Sequence, residues 1–517
     1  MAVIAIFCAI IAICFALLLL RRPGRVCEPL PPGPPPLPLF GNLLDFTLRE
    51  LWLRVTSQWA QKYGDLVYLR IFGQGILFLN SVEATMEILE KRGAMYADRP
   101  QTVMLSELCG CDNIVAFSRY GSTHYRQQRR LLHTALAPSS IPAYQPLIIA
   151  EVFDFLRRLL DSPERYVDHI RRYTGSQSMS IAYGYKVAED NDPHIRGAEE
   201  AIDIIANHIL GTPGDVWLVD LCPALKLLPT WAPGTGFRRK AAAWKSKIEK
   251  CANDPFEWVK ECMSAGTATP CYCTRLLDEE AGSGTVNKQY ESDVKWTAHA
   301  MYLASIDTTL ALLTHFVLAM VRNPEVVRNA QEEIDAVTGG SRLPTHDDRG
   351  ALPYVNAIMS ECMRWTCPVP LGLPHKATEN DVYEGMFIPN GTLVFANIWK
   401  MTRDPTLFPN PEAFIPERYL EDVDEATARL RDPRNYIFGF GRRRCTGTHL
   451  VESYLWLAIA CTLATFDFAK ATDADGNDIE PQPQYLDASF RLPTLFPCII
   501  RPRSENAAQL VHESLAA

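Results

Sequence analysis

The stretch FGFGRRRCTGTHL, residues 438–450, sets one cysteine, Cys445, among glycines and three arginines, just ahead of an apolar run that reads as the start of a helix. Backbone donors and positive charge around a cysteine favour its thiolate, whereas an apolar setting leaves an inert buried thiol. A second polar group interrupts the apolar stretch ASIDTTL, residues 304–310, with Asp307, Thr308 and Thr309. A threonine in a helix often bonds back to the carbonyl four residues earlier, so a functional role there needs company. The third group is ionic: Glu361 and Arg364 in ECMR stand three apart on one helix face, and Arg418 follows in FIPERYL. Two arginines and a carboxylate can satisfy one another as a buried network. Glu325 and Arg328 in EVVR share the spacing and read as a solvated surface pair.

The elements that must position these groups are mainly helical. The longest helical pattern runs from about Ser292, a plausible N-cap, to Arg322, where Asn323-Pro324 ends it. Such a helix is ~45 Å long and crosses a whole domain. A second helix, 325–340, ends on glycines suited to a C-cap. Strand patterns occur at 65–80 and around 391–397, which together predict an α+β, mainly α-helical fold. No linker, charge block or repeat divides residues 43–517, so they read as one large domain.

The chain has 517 residues, 47% hydrophobic and 21% charged, an ordinary globular balance with material for a large core. Its net charge of -9, with no basic tail or zinc-finger spacing, excludes nucleic acid as a partner. Residues 2–20 are uncharged throughout and long enough to cross a bilayer, so 1–22 reads as a transmembrane anchor rather than a cleaved signal peptide. Arg21, Arg22 and Arg25 put the remainder on the cytosolic side. The fifteen cysteines are scattered without paired CxxC spacing, and the CxC pairs Cys109/Cys111 and Cys271/Cys273 read as buried thiols. Residues 23–42, rich in proline, form a stiff hinge. The apolar, proline-broken stretch 215–234 reads equally as a loop dipping into the membrane interface or as a core-covering loop.

Phe438, Gly441, Arg443, Cys445 and Gly447 fit the pattern F-x-x-G-x-R-x-C-x-G. With Glu361-x-x-Arg364, PERY and the Asp-Thr helix in the expected order, the whole chain resembles the cytochrome P450 family of haem-thiolate monooxygenases. Its anchor and hinge are similar to those of the microsomal class, and the segments RDPRNYIFGFGRRRCTGTHL and PLGLPHKATENDVYEG are similar to enzymes of basidiomycete secondary metabolism.

The resemblance implies haem b ligated by Cys445, with Gly441 and Gly447 permitting a tight turn and close approach of the next helix, and Phe438 shielding the sulfur. It implies propionate contacts from Arg443, from Tyr125 and Arg129 in YGSTHYRQQRRLL, and from His375. Tyr125 stands where the family often has tryptophan. Asp307 and Thr308 are implied to relay protons to dioxygen, with Ser305, where many relatives carry glycine, adding a hydroxyl. Arg434, Arg442 and Arg444 form a basic patch for an acidic flavoprotein. No flavin or nicotinamide fingerprint lies in the chain, so electrons come from a separate NADPH-cytochrome P450 reductase.

The implied activity is insertion of one oxygen atom from O2 into a hydrophobic, terpenoid-like small molecule, at the endoplasmic reticulum membrane and in contact with its lipid. Segments 100–118, 200–235, the long helix, Val369–Leu373 and the turn near Phe490 line the substrate side. A haem-thiolate isomerase or dehydratase needing no reductase, an aromatic, indole or xenobiotic substrate, and a non-catalytic haem- or lipid-binding protein are the alternatives.

Overall fold

The computed structural model describes residues 28–46, 51–188, 192–210, 217–282, 287–485 and 490–514. The expected anchor falls at 1–22, outside the described residues. Eleven helices of ten or more residues frame the described chain. They are α1 (Thr123–Ala135), α2 (Gln145–Asp161), α3 (Tyr166–Tyr183), α4 (Pro193–Asp203), α5 (Gly236–Ala265), α6 (Tyr272–Ala281), α7 (Lys288–Arg322), α8 (Pro324–Thr338), α9 (Pro353–Thr366), α10 (Thr448–Thr465) and α11 (Glu505–Ser514).

The central helix α7 starts four residues before the expected Ser292. Asn287 caps it by accepting from the Gln289 N–H at 2.9 Å, and asparagine caps at least as well as serine. Most of α7 is buried from Asp293 to Val321, so it is hydrophobic all round because other helices cover it, α3 most extensively. It is the one helix among the described residues long and apolar enough to cross a membrane, and its burial in protein marks it as a core helix. Helix α10 is buried from Ser453 to Thr465 and packs on α2, α7, α8 and α9. The helix expected at 325–340 is α8, closed by Gly339 in the left-handed conformation.

The strand at 65–80 is a hairpin of β1 (Leu66–Ile71) and β2 (Gln74–Leu79), paired antiparallel from Leu66↔Leu79 to Ile71↔Gln74. Three short strands come next in chain order: β3 (His375–Lys376), β4 (Asp381–Tyr383) and β5 (Met386–Ile388). The strand near 391–397 is β6 (Leu393–Ala396), which runs parallel to β2 and antiparallel to β3, giving the order β1-β2-β6-β3. β4 and β5 form a separate hairpin, and β7 (Phe466–Thr472), β8 (Asp478–Ile479) and β9 (Cys498–Pro502) form a third sheet.

The expected ionic network exists and is wholly interior. Glu361 accepts two bonds from Arg364, both at 2.7 Å, and further bonds from Arg418 Nε at 3.3 Å and the Ile415 N–H at 2.9 Å. The remaining guanidinium donors of Arg364 reach the carbonyls of Thr402, Pro411 and Ala413, and those of Arg418 reach Pro409 and Asn410. Glu361 and Arg364 are 0% exposed, so this network pins α9 to the 402–418 meander on the Cys445 side of the chain. Every cysteine among the described residues is free, and Cys109, Cys111, Cys271 and Cys273 are buried thiols as expected.

The described part of the 215–234 stretch both covers core and faces outward: Val219 is buried in the main core with Trp217 and Leu225 packed against it, while other apolar side chains are exposed. Leu218, Leu227 and Trp231 are 70%, 79% and 74% exposed. Leu37, Leu39, Phe40 and Leu44 from the proline-rich approach are exposed as well.

Candidate active site

The loop before α10 folds back on itself around Cys445. The Cys445 N–H donates to the Phe438 carbonyl at 2.7 Å, and the Gly447 N–H donates to the Cys445 Sγ at 3.3 Å. Gly441 has a positive φ of 53°, and a Cβ there would lie 2.2 Å from the Leu89 carbonyl oxygen. Its N–H bonds Glu90 Oε1 at 2.8 Å. Packing of the loop on the 86–91 segment thus demands glycine here, and its positive φ makes the tight turn that was expected. At Gly447 a Cβ would meet the sulfur at an ordinary 3.7 Å, so what this residue contributes is its N–H. Phe438 is partly buried against the main core and holds Cys445 through its carbonyl.

Cys445 is accessible, yet enough protein surrounds its sulfur for burial to dominate its environment. Burial pushes its thiol pKa up, while the Gly447 N–H and the charges of Arg129 and Arg444 pull the other way. In the middle of α7, Ala304 is likewise accessible although the helix around it is buried. The two faces are close: Tyr454 of α10 feels the charge of Cys445 and shares a 2.7 Å hydroxyl bond with Thr309. Thr308, next to Thr309, donates Oγ1–H to the Ala304 carbonyl at 2.7 Å and keeps its lone pairs for another donor.

Asp307 has its carboxyl pKa raised to about 6 by burial, with Arg171 opposing and Glu199 and Asp203 adding to the shift. A carboxyl whose pKa rises on folding penalises the native state once pH exceeds the unfolded value, and the penalty grows until pH passes the folded value. The penalty is absent below the ordinary carboxylate range and reaches on the order of 3 kcal/mol above pH 6. Asp307→Asn is therefore expected to stabilise the fold at pH 7.5 by about 1–2 kcal/mol and to leave stability at pH 4 unchanged. Urea melts at the two pH values check this, and equal shifts at both would contradict it.

Ser305 does not join Thr308. Its hydroxyl is bonded to Ser178 of α3 and to the Tyr302 carbonyl, so the residue ties α7 to α3. The serine expected to extend a proton relay is thus engaged with α3 and its own helix.

Near the loop lies a cluster of arginines whose charge Asp98 offsets only in part. Arg443 donates to the carbonyls of Ala97, Val115 and Ser118, and Arg129 donates to the Arg444 carbonyl at 2.9 Å. Arg99, which the sequence reading missed, donates to Ala116, Leu373 and Pro374. Among the described residues, every hydrogen bond these three guanidiniums make ends on a backbone carbonyl. Burial, then the neighbouring charge of Arg443, lowers the Arg99 pKa to about 9. The Tyr125 hydroxyl donates to the Arg442 carbonyl at 2.9 Å while its ring lies 4.2 Å from the Arg443 guanidinium, so it supports Arg443 from beneath. His375 is buried with Nδ1 bonded to the Tyr96 carbonyl at 2.8 Å, and burial followed by Arg99 holds its pKa well below the usual histidine value.

This donor set fits haem. It offers an accessible thiol for iron and surplus buried positive charge for two carboxylates.

The expected basic patch is rearranged. Arg434 is bound to Asp432, Glu452 and Ser360, and Arg444 donates to the Arg434 carbonyl. Of the three, Arg442 alone is exposed. Exposed Arg119, and Arg126 and Arg130 one turn apart on α1, extend the basic surface beside it.

Comparison with known proteins agrees with this geometry. The family model described as cytochrome P450 matches residues 31–494. Cytochrome P450 monooxygenase claT of Ampulloclitocybe clavipes is 39% identical over 95% of this chain and 94% of its own length. Cytochrome P450 monooxygenase 176 of Postia placenta is 38% identical over 94% of this chain and 92% of its own. Tryptamine 4-monooxygenase of Psilocybe cyanescens is 37% identical over 93% and 94%. With the family matched along nearly its whole length, this chain belongs to the cytochrome P450 family and is a haem-dependent monooxygenase.

Proposed function

We propose that the protein is a membrane-anchored monooxygenase of fungal secondary metabolism that uses O2 and electrons from an NADPH-dependent reductase to oxidise an apolar, terpenoid-like small molecule. The observation that carries this reading is an accessible Cys445 on a loop tied to α7 through Tyr454 and Thr309, with Arg99, Arg129 and Arg443 bonded to backbone carbonyls beside it. Cys445 Sγ would hold the iron, and the three arginines, with His375 beside them, would hold the propionates. The bound group supplies an iron whose thiolate ligand favours O–O cleavage.

The protein residues bind, orient and move protons. The Gly447 N–H spreads the negative charge of the sulfur. Thr308 Oγ1, with its proton committed to the Ala304 carbonyl, accepts a hydrogen bond from a water and orients it. Asp307, with its pKa raised to about 6 by burial, holds and releases a proton at its carboxyl oxygens near neutral pH. Val369, Leu371, Leu373, Phe490 and Leu492 would give the substrate side an apolar wall. The exposed Leu218, Leu227 and Trp231, with Leu37, Leu39 and Phe40, support a face resting on the membrane interface.

Turnover of a sesquiterpene panel under 18O2 with NADPH and reductase tests the reading. One 18O atom per product, with no product when NADPH is omitted, is expected; unlabelled product formed without NADPH would favour the isomerase alternative.

Arg119, Arg126, Arg130 and Arg442 support docking of an acidic reductase beside the Cys445 loop. Charge reversal at Arg126 and Arg130 is expected to raise the KM for reductase about tenfold at low salt, with the difference shrinking as salt screens the surface. A salt-independent loss would contradict an electrostatic role.

A further inference from the structure

Two stretches expected on the substrate side, the turn Phe490–Leu492 and the segment Pro368–Leu373, are joined by one residue that belongs to neither the iron site nor the proton relay. The Arg491 N–H donates to the Pro368 carbonyl at 2.9 Å. Its guanidinium donates to His315 Nε2 at 2.7 Å and reaches the Thr366 carbonyl at 3.4 Å. Aromatic rings flank the cation, with centroids 3.8 Å away at Tyr485 and 4.7 Å away at Trp399. The clamp therefore touches α7, the end of α9 and both stretches.

His315 is built to accept that bond. It is fully buried, and its Nδ1–H is spent on the Ala311 carbonyl at 2.7 Å, which leaves the Nε2 lone pair for Arg491. Burial, then the adjacent Arg491 charge, keeps its pKa well below the usual histidine value, so the ring stays neutral. It is stacked on Tyr485 at 5.7 Å and edge-on to Trp365 at 6.0 Å. It also stands seven residues beyond Thr308, two turns along the same face of α7. A rigid helix thus fixes the distance between Thr308 and the clamp.

We propose that Arg491, held by the neutral His315, is a positioning residue that sets the Phe490–Leu492 turn and the Pro368–Leu373 segment at a fixed distance from Thr308, and so sets the length of apolar substrate the site accepts. The proposal rests on the monooxygenase reading, with these two stretches walling the substrate side. The cation is held by an imidazole, a carbonyl and two rings, not by a carboxylate, so its removal strands no buried anion.

The test uses the full chain with haem, and compares Arg491→Gln, His315→Leu, His315→Gln and the Arg491→Gln/His315→Leu double variant. The probes are imidazole, 1-hexylimidazole and 1-dodecylimidazole, titrated by their absorption change on binding iron. Affinity for imidazole is expected to stay within about twofold of native in every variant, while the preference between the hexyl and dodecyl probes shifts about tenfold in Arg491→Gln and His315→Leu. Hydrogen exchange of the 490–494 amides is expected to rise about tenfold in the same two variants. His315→Gln, whose amide oxygen can accept from Arg491, is expected to behave as native, and the double variant no worse than either single one.

Native probe preference and native exchange in both Arg491→Gln and His315→Leu would overturn the clamp. Equal weakening of all three probes would also overturn it, by placing the effect at the iron. Should Arg491→Gln fail to accumulate as folded protein, His315→Leu carries the same decision with the arginine in place. Absence of any iron-ligand spectrum in the native protein would instead overturn the monooxygenase reading itself.

Discussion

Cys445→Ser is expected to abolish oxygenation while leaving the fold in place. Serine keeps the small side chain that the loop encloses. The Phe438 carbonyl still accepts the N–H of residue 445, and Gly441 still packs on the Leu89 carbonyl. Lost is the sulfur, with its polarisable charge and its bond from the Gly447 N–H. A hydroxyl cannot supply the electron density that a thiolate gives the iron. Turnover with reductase and NADPH should fall at least about 10³-fold, toward the uncatalysed background. Circular dichroism and the melting temperature should stay near native. Retention of more than a tenth of native turnover would remove Cys445 from its role as the ligand, and loss of the fold would show the residue to be structural.

Glu361→Ala is the second large effect, and it acts on stability. Glu361 is fully buried and accepts from Arg364 twice, from Arg418 and from the Ile415 N–H. Alanine leaves two buried guanidiniums with no carboxylate and opens a cavity. Breaking one side of such a buried pair costs about 3–5 kcal/mol, a large part of the 5–15 kcal/mol that holds a domain together. Most of the chain should then be recovered unfolded or aggregated at 37 °C, and urea denaturation at low temperature should show a matching drop in midpoint. Glu361→Gln retains an acceptor for Ile415 and one arginine and should lose less. If the alanine variant melted within a degree or two of native, the network would be dispensable and the anchoring of the 402–418 meander would need another source.

The parts of this protein that could be read from sequence are those whose spacing is local. Cys445 and its glycines fall within ten residues, Asp307-Thr308 sits inside one helical stretch, and Glu361 and Arg364 are brought together by helical periodicity. A strand pattern at 65–80 was legible from its aromatic and branched residues, but not its division into the hairpin β1–β2. Strands β3, β4, β5 and β8, two or three residues each, were not, since such strands are defined by the partner they meet.

Arg99 escaped for a similar reason. In YADRP it looks like any charged turn residue, and only the fold carries it to the carbonyls of Leu373 and Pro374 beside Arg443. Arg434 erred in the opposite direction: a basic run in the sequence suggested a free patch, but Asp432 and Glu452 neutralise it. Ser305 reads as a polar neighbour of Asp307, yet its place on the helix surface turns it to Ser178. The Arg491–His315 clamp spans residues far apart in the chain and left no pattern in either segment.

The central claim is that the Cys445 thiolate ligates haem iron in this chain. The most direct measurement is the absorption difference spectrum of the purified, dithionite-reduced full-length protein with and without carbon monoxide. The account predicts a strongly red-shifted, thiolate-type Soret band near neutral pH. An imidazole-type band, or no haem band at all, would contradict it.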